Sequence, residues 1–260
     1  MLFVATGQWA QAQTTMDANT ILTANMSQFQ QVPAYKMNCS ATCDLIAEDG
    51  KTIRSQHGKT VVFRDGEKFE FRLNRYENAE ENGLKIRDIS NGQQLLIQQG
   101  QGAAVLFSYS DDPNYITSHN QTAWAGDFLD RYSLGDGVHV ASYLLSCPQK
   151  ELLPTMESIE GHPCYVIHAA SERGLIKIWI DPANGYQYRK LIIEKKHGNL
   201  EGDHKLPFKP IPQSDIELDQ IKVEVDVQTI QKFDNVYFTL AGSIKVVQNF
   251  SDGSVKKFEY

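Results

Sequence analysis

The residues best able to do chemistry in this 260-residue chain are four cysteines, Cys39, Cys43, Cys147 and Cys164, and seven histidines. In an exported chain an even number of cysteines points to disulfides, and four allow three pairings. A strand rises about 3.3 Å per residue, so Cys39 and Cys43 on one strand stand about 13 Å apart. That exceeds the roughly 7 Å limit between bridged Cα atoms, so each needs a distant partner unless a turn separates them. Cys147 and Cys164 flank 16 residues that include Pro148, Pro154 and Gly161, which can turn the chain back. At least one disulfide is expected, involving Cys147 or Cys164, and a loop of that length adds about 3 kcal/mol in the chain-entropy picture. Buried thiols are the alternative. As zinc ligands the four fit poorly, because Cys-x3-Cys and a distant Cys-x16-Cys lack the short knuckle spacing. No metal site is expected.

The histidines form no motif. His197-Gly198-Asn199-Leu200-Glu201-Gly202-Asp203-His204 gathers two imidazoles and two carboxylates, but in a glycine-bearing stretch that reads as a solvated turn. His-Glu-x-x-His, Gly-x-Ser-x-Gly, P-loop and Gly-x-Gly-x-x-Gly patterns are all missing from the sequence. No catalytic residue and no cofactor is therefore expected, and the chain reads as non-enzymatic; a hydrolase with a scattered site is the rival. Trp124, Trp179 and the phenylalanines could line an apolar ligand cavity, or simply fill a core.

Composition narrows the classes further. Twenty-five Lys and Arg against 32 Asp and Glu give a net charge of −7, without the basic excess of a general nucleic-acid binder. Hydrophobic residues at 41% with 22% charged are ordinary globular usage, which excludes a disordered chain. No apolar run reaches the 18 or so residues of a spanning helix. Residues 1–13 read as the remnant of a secretory signal, with apolar Leu2, Phe3, Val4 and Ala5 and the small-x-small triplet Ala10-Gln11-Ala12. Residues 14–260 then form one domain, periplasmic or secreted.

The elements that must position any site are mostly strands. Asp17 can cap a helix whose Ala18, Leu22, Met26 and Phe29 share one stripe, ending before Pro33. Beyond it the period is two. Phe69, Phe71 and Leu73 alternate with Lys68, Glu70 and Arg72 after the turn pair Asp65-Gly66. Short strands follow at residues 84–89, 94–98 and 103–109. Residues 112–148 break the rhythm with two short helices, one carrying Trp124, Phe128, Leu129 and Tyr132, the other Val138, Ser142 and Leu145. Strands resume at 164–169 and at Ile176, Ile178 and Ile180, which alternate with Lys177 and Trp179. Asp181-Pro182-Ala183-Asn184-Gly185 is a turn by its chemistry, and residues 186–194 return as its hairpin partner. Ile221 to Val227 and a final hairpin across Asp252-Gly253 complete an antiparallel sheet of eight to eleven strands, with no βαβ alternation.

Such a sheet has one apolar face to cover. Lys177 needs water, so Ile176, Ile178 and Ile180 should face the helices. Phe69, Phe71 and Leu73 are selected likewise by their charged neighbours. These six are the candidate lining of a ligand cavity.

The segments Gly161-His162-Pro163-Cys164-Tyr165-Val166-Ile167, Lys177-Ile178-Trp179-Ile180-Asp181-Pro182, Gly185-Tyr186 and Arg189-Lys190 resemble the LolA-like lipoprotein carrier and sorting superfamily. The order helix, strands, inserted helices, strands is similar along nearly the whole chain. The resemblance implies a mainly β (α+β) fold: an unclosed antiparallel half-barrel wrapped over a few helices, with an apolar concavity. It also implies an acyl lipid or lipoprotein as cargo. An envelope regulator that binds a protein partner through the same fold is the alternative. Residues 112–148 and 197–213 have no counterpart in the basic carrier.

Overall fold

The computed structural model describes residues 16–30, 34–47, 49–65, 68–77, 84–90, 94–100, 102–108, 140–171, 174–196 and 218–259. Helix α1 (Ala18–Gln30) begins where Asp17 accepts a hydrogen bond from the Thr20 amide at 2.7 Å, and it ends three residues before Pro33. That bond holds the Asp17 carboxyl below its ordinary pKa. Its most buried stripe is Ile21, Leu22 and Asn25, with Ala18 and Met26 packed at the margin. The helix is thus rolled slightly from the stripe read in the sequence, which places the branched Ile21 in the core ahead of the smaller Ala18. Helix α2 (Val140–Ser146) buries Val140, Ala141 and Leu144. It ends under the Lys150 ammonium, which donates to the carbonyls of Leu145 (2.9 Å) and Cys147 (2.8 Å), a cation at the negative end of the helix dipole. It is the second of the two short helices expected between residues 112 and 148; the first lies outside the described residues.

The strands are β1 (Ala34–Ile46), β2 (Thr52–Asp65), β3 (Lys68–Glu77), β4 (Leu84–Ser90), β5 (Gln94–Gln99), β6 (Val105–Ser108), β7 (Lys150–Leu152) and β8 (Glu157–Ile159). The remainder are β9 (His162–Ser171), β10 (Gly174–Asp181), β11 (Gln187–Lys196), β12 (Leu218–Phe233), β13 (Val236–Phe250) and β14 (Val255–Glu259). All pairings among the described residues are antiparallel. The spatial order is β6-β5-β4-β3-β2-β1-β14-β13-β12-β11-β10-β9-β7, with β8 paired to β9 off this path. Among the described residues, fourteen strands exceed the eight to eleven expected. Among the additions, β7 and β8 are three residues each, too short to show an alternation.

The order has a simple construction. Strands β1 to β6 meander outward in one direction and β14 back to β9 in the other. Asp44–Ile46 of β1 and Lys257–Glu259 of β14 join the two meanders at three register pairs. Among the described residues the sheet stays open, since its end strands β6 and β7 do not pair with each other. Helices α1 and α2 pack against each other, and α1 also touches β7 and β13. The main core lies beneath them and includes Ile21, Leu22, Leu144, Ile178, Leu191, Val225 and Val246.

Candidate functional site

Register defines the two faces, because successive side chains on a strand alternate sides. Ile178 pairs with Leu191, Leu191 with Val225 and Val225 with Ile244. One row along, Val223 pairs with Val246, Val246 with Phe258 and Phe258 with Leu45. Leu45 stands opposite Arg54 of β2, whose even-numbered positions lead to Thr60, opposite Leu73. Positions 69, 71 and 73 therefore share the backbone face of Ile176, Ile178 and Ile180. The side chains of Phe69, Phe71 and Leu73 lie outside the described residues. The three isoleucines are 2%, 1% and 0% exposed and sit in the main core below the helices.

Helix α1 brings polar groups onto this apolar face. Asn25 is fully buried and donates through Nδ2 to the Tyr186 carbonyl at 2.7 Å. Its Oδ1 and the Oε1 of Gln28, one turn on, are buried without a partner among the described residues. Lys195 and Gln248 are each 1% exposed and occupy the same face on β11 and β13.

The opposite face carries a second, smaller cluster of Cys164, Val166 and Trp179, backed by Leu153, Ile159 and Ile192. The Trp179 indole N–H donates to Glu157 Oε2 at 2.7 Å. The Lys177 ammonium bonds the same carboxylate at 3.2 Å and lies 4.4 Å from the Trp179 ring centroid. The indole bond, with help from Lys177, holds the Glu157 carboxyl below its ordinary pKa. An open groove of about 660 Å3 lies further along this face, floored by Ala170, Leu175 and Ile192 and flanked by Glu151, His168 and Glu194. Ile176 borders it, while His168 Nε2 is buried without a partner among the described residues.

The β10–β11 turn is built on Asp181, which is fully buried. Its carboxylate accepts from the Ala183 amide at 2.9 Å, Asn184 Nδ2 at 2.7 Å and Arg189 Nε at 2.9 Å. Half-exposed His162 stands 3.5 Å away. Burial pushes this carboxyl up, but the bonds from Asn184, Arg189 and Ala183 outweigh it and hold the pKa below the usual range. Pro182 starts the 3-10 turn, and Gly185 ends it in the left-handed region. Tyr186 follows at φ 60, tied to α1 through its carbonyl. The sequence marks this turn, but not Asp181 as the buried partner of Arg189; the signal available was an aspartate before proline with an arginine on the returning strand.

No disulfide joins the four cysteines, contrary to the expectation. Cys147 lies in the main core, its thiol donating weakly to the Gln149 and Ala170 carbonyls at 3.8 and 3.5 Å. Cys164 lies in the cluster on the opposite face, so the sheet separates the two sulfurs. Burial, helped by the nearby Asp181 charge, pushes the Cys164 thiol up to about 11. Cys39 and Cys43 share β1, four residues apart on one face. Among the described residues no group of three or more His, Cys, Asp or Glu side chains is placed to hold a metal. The stretch from His197 to His204 lies outside the described residues.

Among the described residues, no helix is long and apolar enough to cross a membrane. No known family matches the sequence, and no curated protein matches it either. Among solved structures the chain is similar to a DUF1329 family protein from Desulfovibrio piger, with 10% identity over 93% of this chain and 90% of that one, and a TM-score of 0.47.

Proposed function

We propose that this chain is an exported, non-enzymatic protein of LolA-like type that holds an acyl lipid or lipoprotein acyl group against the helix-covered face of its sheet. One observation carries the reading: the sheet is far wider than the described helices over it. Thirteen strands in line give twelve spacings of about 4.8 Å, a path of about 58 Å. Two helices about 10 Å wide account for roughly 20 Å of that. Beyond the fully buried Ile178, Leu191 and Val225, the register continues the apolar row through the partly buried Ile244, then Phe258 and Leu45 one row away. Burying a hydrocarbon chain on such a surface is favourable by about 0.8 kcal/mol per CH2. That supports cargo binding without any dedicated polar motif, in keeping with a sequence that has none.

Solvent extraction of the purified protein followed by lipid mass spectrometry tests this. Co-purified acyl lipid in near-stoichiometric amount is expected, and a lipid-free protein that also fails to take up added lipid would overturn it. Phe233 (47% exposed) and Leu240 (42% exposed), near the β12–β13 turn, favour a second reading, an envelope regulator binding a protein partner. A lipid-free protein that copurifies with a stoichiometric protein partner decides for it.

A further inference from the structure

The sheet-facing stripe of α1 changes character along its length. Ile21 and Leu22 are apolar and fully buried, but the next residues on the stripe are Asn25, also fully buried, and Gln28. Buried polar atoms nearly always have a partner, and the exceptions call for an explanation. Here two amide oxygens on neighbouring turns, Asn25 Oδ1 and Gln28 Oε1, lack one among the described residues. The Asn25 amide is oriented, because its Nδ2 is engaged by the Tyr186 carbonyl at 2.7 Å. At Asn25 the open position is therefore an acceptor, and what is missing is a donor; Gln28 places its Oε1 beside it. Met26, adjacent to Asn25 in the chain and partly buried against the main core, is an unbranched side chain that repacks easily.

We infer that Asn25 and Gln28 form a head-group site on the inner side of α1, taking a hydrogen-bond donor carried next to the acyl group of the cargo: a glycerol hydroxyl or an amide N–H. The inference rests on the acyl-binding reading above and adds a chemical preference to it. The hydrocarbon lies along the apolar face, and the donor-bearing head reaches the two amide oxygens. An acyl methyl ester buries the same hydrocarbon but leaves both acceptors unmet. A site built for hydrogen bonding discriminates against the analogue that lacks the donor.

The test uses the full chain and three probes with one oleoyl tail: methyl oleate, 1-monooleoylglycerol and N-methyloleamide. Each competes with a fluorescent fatty-acid probe. The hydroxyl and amide probes should bind about tenfold tighter than the ester, equivalent to about 1.4 kcal/mol, and whichever binds tighter names the source of the donor. The preference should shrink to about onefold in Gln28→Met and in Asn25→Leu. If Asn25→Leu fails to fold, because it also loses the Tyr186 tie, Gln28→Met decides alone. Equal binding of all three probes would overturn the head-group site and leave acyl binding standing. So would a tenfold preference that survives in Gln28→Met. Binding of none of them would overturn both.

Discussion

Replacing Asp181 by asparagine perturbs the β10–β11 turn at its centre. The carboxylate is fully buried and receives Arg189 Nε at 2.9 Å, Asn184 Nδ2 at 2.7 Å and the Ala183 amide at 2.9 Å. Asparagine keeps the shape but removes the charge facing Arg189, whose side chain is only 5% exposed. Breaking a buried pair from one side costs about 3–5 kcal/mol, because the remaining charge stays out of water. With a urea slope of about 3 kcal/mol/M, the unfolding midpoint should fall by about 1–2 M. Far-UV circular dichroism in urea at pH 7 measures it. Arg189→Met should cost a similar amount, and the double variant clearly less than the sum, since the two groups share one interaction. The pH dependence has a definite sign. The folded pKa of Asp181 is lowered, so its stabilisation is present above the unfolded value of about 3.9 and is lost as pH falls through the folded value. Asp181→Asn should lack that acid-sensitive component. A single variant within about 1 kcal/mol of wild type, or a double variant equal to the sum, would refute the argument.

Other consequences are as direct. Alkylation of the native, unreduced protein after denaturation should yield Cys147 and Cys164 in separate, singly alkylated peptides, because the sheet lies between them; a disulfide-linked pair would contradict the fold. Gly174→Ala should destabilise by more than about 2 kcal/mol, in the range of strain and overpacking costs. Its φ is +102, and an added Cβ would sit 2.2 Å from the Glu194 backbone oxygen, which cannot swing away. Thermal unfolding reads this, and an unchanged midpoint would be wrong for the structure. Glu157→Leu should cost about 1–3 kcal/mol by leaving the Trp179 indole N–H buried without its acceptor. Urea unfolding measures that loss, and wild-type stability would show that the indole bond contributes nothing.

Much of the fold was legible because its signals are local. Alternation placed Ile176, Ile178 and Ile180 on one side of their strand. Asp65-Gly66, Asp252-Gly253 and the pentapeptide after Ile180 announced their turns, and Asp17 and Pro33 bracketed the first helix. What escaped depends on pairing between distant segments. The joining of β1 to β14 brings residues 44–46 against 257–259, and no local pattern encodes that. Trp179 shares a strand face with Lys177, which marks the face as wet; the structure nevertheless buries the indole, because β8 brings Glu157 over it. Asn25 was passed over for a similar reason. A polar residue one turn beyond Ile21 and Leu22 looks like the edge of a stripe, and only the docked helix shows it at the centre. The cysteine expectation failed because sequence spacing carries no information on which side of a sheet each sulfur lies.

The central claim is that hydrocarbon binds the helix-covered apolar face. Titration of the lipid-stripped protein with saturated fatty acids of increasing length, read by displacement of a fluorescent acyl probe, tests it most directly. Each added CH2 should tighten binding by about 0.8 kcal/mol, or roughly fourfold, until the chain outgrows the surface. Affinity that does not change with chain length, or no saturable binding at any length, would contradict the account.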